Sequence, residues 1–158
     1  MANTASLCTS FLGELMTATH NFGVAPIRAA TTTDTFKGAL YLVSATYNAA
    51  TTAYAVTGEV SGTGYTAGGV TVTAATAPTA TNASATAGVA FFTPSASLTY
   101  TTVTLTTAFD TVLIYNSTQS NKAVGVYTFG SQTITAGTFT LTMPSNTTTT
   151  ALIRLATT

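Results

Sequence analysis

Large apolar side chains in this chain recur mostly at every second position, in short runs set between Gly, Pro, Asn and Ser. That is the period at which successive side chains of an extended strand point to opposite faces. Residues 137–143, Gly-Thr-Phe-Thr-Leu-Thr-Met, keep it without a break and send Phe139, Leu141 and Met143 to one side. Residues 70–73 and 98–106 follow the same rule. Residues 36–47 carry apolar groups at both parities, Phe36, Leu40 and Leu42 against Ala39, Tyr41 and Val43, which predicts a strand buried over most of both faces. Further strands are predicted over 89–93, 112–116, 122–129 and 151–155. The polar stretch 117–121 predicts a hairpin connection, and Pro144-Ser145-Asn146 another turn.

Three stretches break the alternation. Residues 10–20 predict the only helix: Ser10 can cap it, and Phe11, Leu12, Leu15 and Met16 share one face. Gly13 and two Thr weaken it, so docking rather than propensity must hold it, and His20-Asn21-Phe22-Gly23 with Pro26 ends it. Residues 61–69 hold Gly62, Gly64, Gly68 and Gly69, a density that predicts tight turns or a close backbone approach. Residues 74–87 have no large side chain and read as a loop, an edge, or a segment ordered by contact with a neighbour.

About eight or nine strands with turn signals roughly every ten residues predict an all-β fold, an antiparallel β-sandwich or jelly-roll-like domain with one short N-terminal helix. At 158 residues the chain suits one domain. It divides into an N-terminal arm and short helix over 1–23 and a β-sandwich domain over 24–158.

Composition sharpens the picture. The chain has 41 Thr and 27 Ala but only eight charged residues: Arg28, Lys37, Lys122, Arg154, Glu14, Asp34, Glu59 and Asp110. Threonine suits a sheet surface, because its branched Cβ favours extended backbone while its hydroxyl stays wet. Disordered chains are rich in charge and poor in aromatic residues, whereas this one has eight Phe and seven Tyr. No run approaches the ~18 apolar residues of a membrane helix. The net charge is zero and the basic residues are scattered, so direct nucleic-acid binding is not expected. A charge-poor surface suits a chain that lives in an assembly or outside a cell, and its sheet edges are weakly defended against other chains. Cys8 is single, so an intrachain disulfide is not expected. The first residues lack the basic and apolar regions of a secretory signal, so synthesis in the cytoplasm is expected.

Candidate chemistry is thin. His20 is the single histidine, and with Cys8 it cannot make the usual zinc sets, so His20 reads as a structural or capping residue. The carboxylates Glu14, Asp34, Glu59 and Asp110 form no acidic cluster in sequence. Glu59 and Asp110 are expected to tie down turns or meet basic groups. The glycines from 58 to 69 lack the Lys-Ser/Thr ending of a phosphate-binding loop and precede a strand. Asn82, Asn116 and Asn146 fit the glycosylation pattern, but Asn116 and Asn146 read better as turn residues. No catalytic, cofactor-binding or metal residue is expected. Tyr47, Tyr54, Tyr65, Tyr115 and Tyr127 read as core residues, or as stacking residues of a carbohydrate- or receptor-binding module.

Several of these stretches together resemble a known pattern: residues 10–22 with Ser-Phe, Glu-Leu and His-Asn-Phe; 33–41 with Phe-Lys and Ala-Leu-Tyr; and 51–69 from Thr-Thr-Ala-Tyr to Gly-Gly. Leu113 to Asn116, Phe129-Gly130, residues 137–140 and Ile153-Arg154-Leu155 continue it. The chain resembles small virion structural proteins of tailed bacteriophages, of the head decoration or cement type. It departs from them in carrying Thr and Ala where charged residues are usual between the later strands, and in ending Ile-Arg-Leu. The resemblance implies a non-enzymatic subunit on the outer head surface of the virion. Its implied partners are the major capsid protein and copies of itself, as in a trimer. A place at the neck, tail or fibre, with a carbohydrate or receptor as ligand, is the alternative.

Overall fold

The alternating runs become eight strands among the described residues: β1 (Ala5–Leu7), β2 (Phe36–Leu42), β3 (Val70–Thr71), β4 (Thr79–Ala80), β5 (Val89–Phe92), β6 (Leu98–Asn116), β7 (Lys122–Leu141) and β8 (Ile153–Ala156). The structure, a computed structural model, describes residues 5–8, 11, 15, 19–20, 22, 33–74, 78–81 and 89–156; of 5–7 and 80 it describes the backbone alone. The fold is all-β. One sheet has five strands in the order β1-β7-β6-β2-β3, the other three in the order β4-β5-β8, and the paired strands are antiparallel.

The spine is the β6–β7 hairpin, with strands of 19 and 20 residues. Sequence alternation predicts two separate strands in each arm, and the structure joins them. Residues 107–111 in β6 and 130–136 in β7 look like breaks because their alternation fails. Register shifts in the ladder absorb the extra residues instead. Thr102 and Ala136 take positive φ values of 54° and 46° inside these strands, a backbone state characteristic of bulges. Asp110, a charged residue mid-strand, is buried and accepts a 2.8 Å hydrogen bond from the Thr111 hydroxyl.

β2 lies against the outer half of this spine, pairing Phe36 with Asn116 and Leu40 with Val112. It is buried on both faces, as its double parity predicts. β1 was not predicted, since three residues are too few to display a period; it adds to the far side of β7 at Gly125–Tyr127. The helix predicted over 10–20 falls mostly outside the described residues, and no helix is seen as an element among them. Most of 74–87 also lies outside them, and the described part includes β4.

The core draws on both sheets. Phe22 stacks on Phe36 of β2 with ring centroids 4.3 Å apart, and lies 5.1 Å from Phe92 of β5. Thr93 fixes the short sheet's end by accepting the Leu152 amide at 2.9 Å. A second aromatic group, Phe109, Phe129, Phe139 and Tyr100, packs along the spine. Among the described residues no helix is long and apolar enough to cross a membrane.

Candidate functional site

Residues 52–69 run back along the sheets and touch three strands in turn. The Ala123 amide of β7 donates to the Thr52 carbonyl, Leu42 of β2 to Gly58, and Thr104 of β6 to Thr63. Three glycines make this path possible. Gly69 has a φ of 73°, and a Cβ there would overlap the Gly38 carbonyl oxygen; Gly64, at 78°, would overlap that of Thr102, and Gly62 that of Thr104. The glycine density predicted a close backbone approach, and backbone against backbone is what it permits.

This crossing carries Glu59 into the interior, where it is 8% exposed. Its carboxylate accepts three hydrogen bonds, each of 2.7 Å: from Tyr54 Oη at Oε2, and from Tyr65 Oη and the Gly68 amide at Oε1. Short bonds to a carboxylate are about twice as strong as neutral ones. Tyr65 Oη also accepts the Leu40 amide at 3.1 Å, which locks the cage to β2. Around it, Tyr115 Oη donates to the Gly68 carbonyl at 2.9 Å, Tyr100 Oη to that of Gly38 at 2.7 Å, and Tyr41 Oη to that of Ala55 at 2.7 Å. Their rings face one another: Tyr41 against Tyr47, Tyr54 against Tyr115, and Tyr65 against Tyr100.

Burial holds the phenols of Tyr41, Tyr54, Tyr65 and Tyr100 well above their ordinary value of 10.0. The hydrogen bond to Glu59 adds to this at Tyr54 and Tyr65, because a phenolate could not donate it. Tyr115 is raised by burial first and the Glu59 charge second. These groups stay protonated donors, and the cage is a fixed hydrogen-bond network.

A second polar cluster lies at the hairpin turn. Asn116, fully buried, accepts the Thr118 and Gln119 amides at Oδ1, each at 3.1 Å, which caps the turn. Its Nδ2 donates to Asp34 Oδ2 at 2.8 Å and meets His20 Nδ1 at 3.1 Å. Gln119 Nε2 donates to Asp34 Oδ1 at 3.1 Å. The two amide bonds and the carboxylate fix which end of Asn116 is the NH2, so His20 Nδ1 acts as acceptor in that contact. The imidazole is packed edge-on to Phe11, with centroids 4.9 Å apart.

Asp34, Glu59 and Asp110 thus each enter a hydrogen-bonded network, while Glu14 lies outside the described residues. Cys8 is fully buried, with its amide on the Val124 carbonyl. Tyr127 stands apart from the other candidate tyrosines on β7, and its buried Oη has no hydrogen-bond partner among the described residues. Sequence reading took Asn116 as a turn residue and missed its link to Asp34 and His20, since residues 82 and 96 positions away carry no local signal.

Among the described residues no group of three or more His, Cys, Asp or Glu side chains is placed to hold a metal ion. The cavity beside Glu59, lined by Val56, Glu59, Ser61 and Tyr65, measures about 210 Å3. A second, between Tyr65, Tyr100 and Thr99, measures about 140 Å3. Both fall below the roughly 300 Å3 at which pockets begin to enclose drug-sized ligands. Comparison with family models, curated proteins and solved structures finds no match to this chain.

Proposed function

We propose that this chain is a non-enzymatic virion structural protein, a capsid decoration or cement subunit that bridges and stabilises major coat subunits and associates with copies of itself. One observation carries the reading: the buried carboxylates Glu59 and Asp34 and the buried Asn116 are bound into the fold itself. Glu59 holds three donors, and Asn116 ties together Asp34, His20 and the hairpin turn. That arrangement stiffens a block, which is what a load-bearing coat contact needs.

The charge pattern agrees with a place on the outer head surface. A net charge of zero offers no electrostatic attraction to packaged DNA. Modest contacts repeated over a lattice would then give strength by number. The five- and three-stranded sheets are proposed as the two layers of a jelly-roll-like sandwich, with Phe22 between Phe36 and Phe92 as the link. A receptor-binding module would need free tyrosine faces, and the stacking of Tyr54 on Tyr115 and Tyr41 on Tyr47 favours the coat reading over it.

Cryo-electron microscopy of intact particles tests this. Density of this fold repeated over the head lattice is expected. Density confined to neck, tail or fibre tips overturns the decoration role, and absence from purified particles overturns the virion reading altogether.

A further inference from the structure

β7 is covered unevenly. β6 pairs along most of one side, whereas β1 takes only Gly125–Tyr127 on the other. Among the described residues nothing pairs with the outer edge of β7 beyond Thr128.

Natural edges are defended by charge, proline, shortness or bulges. The bulge at Ala136, with its φ of 46°, distorts the edge on its N-terminal side. A register shift at Thr102 lies opposite the start of Gly137–Leu141, but from Phe139 to Leu141 the ladder is regular, with Tyr100, Thr99 and Leu98 opposite Phe139, Thr140 and Leu141. The sequence has no charged residue between Lys122 and Arg154, and the first proline after the bulge is Pro144. Thr138 and Thr140 are exposed, while Phe139 and Leu141 are half-buried with one flank uncovered by any paired strand.

We propose that the outer edge of β7 at Gly137–Leu141 is a docking edge for the same edge of a second copy of this chain, paired antiparallel about a twofold axis. An edge strand is its own complement under such an axis, since each copy offers the donors and acceptors the other lacks. Self-pairing normally sets like charges opposite one another, at a cost; a strand without charge escapes it. Centred on Phe139, the register sets Thr138 against Thr140 and Leu141 against Gly137, a large side chain against none. A neutral edge also has no field with which to select an oppositely charged partner, which favours the identical strand. The contact is small, so it gains its effect by repetition, forming a dimer or joining larger units side by side.

This inference deepens the self-association proposed above and rests on it. Sedimentation equilibrium of the full chain reads the edge directly. The wild type is expected to gain mass with concentration, and Thr138→Lys/Thr140→Lys to stay at the monomer mass with an unchanged far-ultraviolet circular dichroism spectrum. A wild type that stays monomeric, or a lysine variant that associates as strongly, overturns the inference. Where the lysine variant fails to fold, the single variants Thr138→Cys and Thr140→Cys are mixed and oxidised. Covalent heterodimers should then outnumber both homodimers, and a random or absent cross-link overturns the pairing. A monomeric chain found on particles removes the edge contact and leaves the coat role intact; a self-associating chain absent from particles does the reverse.

Discussion

Glu59 shows how one carboxylate can organise a loop. Its oxygens receive Tyr54, Tyr65 and the Gly68 amide, so a neutral isostere with a donor in place of an acceptor must break part of the set. Glu59→Gln is expected to cost about 1–3 kcal/mol in chemical denaturation, the penalty of leaving a buried donor unpaired. The tyrosines give a second test. Their phenols in the folded chain are raised above 10.0, the value near which they ionise once unfolded. Stability from this source is full below pH 10 and is lost as the pH climbs above it, because the unfolded chain then releases protons that the folded chain retains. Absorbance at 295 nm should show most tyrosines ionising together with unfolding above pH 10. A simple titration centred on 10 in a folded chain would contradict the cage.

At the level of elements, the hairpin and the crossing loop depend on each other. The loop from 52 to 69 fits because Gly62, Gly64 and Gly69 let it lie on the backbones of β6 and β2. Gly69→Ala combines overlap with the Gly38 carbonyl and an unfavourable φ, and is expected to destabilise the fold by about 3 kcal/mol or more. Thermal melting followed by circular dichroism measures it. These elements were legible in sequence to different degrees. The double parity of 36–47 announced a buried strand, which ends at Leu42, the polar 117–121 a turn, and the four glycines a close approach. The continuity of β6 and β7 was hidden, because a bulge resets the alternation and looks like a loop in a one-dimensional pattern. The cage was hidden too. Tyr41 and Tyr115 reach it from strands outside the segment 52–69 that carries Tyr54, Glu59, Tyr65 and Gly68.

Across the whole molecule, the described residues of the N-terminal segment pack into the main structure. Cys8, Phe11 and Phe22 belong to the core, and β1 pairs with Gly125–Tyr127 of β7. Phe22→Ala, which opens the junction between Phe36 and Phe92, is expected to cost about 3–5 kcal/mol by denaturant titration. Deleting residues 1–22 removes all three core side chains and should leave a chain whose melting is no longer cooperative. If the truncated chain melts as sharply as the intact one, the first 22 residues serve only as a contact arm.

The pairing of β1 with Gly125–Tyr127 also sets a clock on biosynthesis. The first strand leaves the ribosome about 120 residues before its partner, a wait of about 6–24 s at 5–20 residues per second. β2 waits in the same way for residues 109–116. The large sheet therefore assembles only after most of the chain has been translated. Until then the nascent chain holds charge-poor strands in the open, and stalled chains ending before residue 120 should be cut readily by protease while those that expose all of β7 resist.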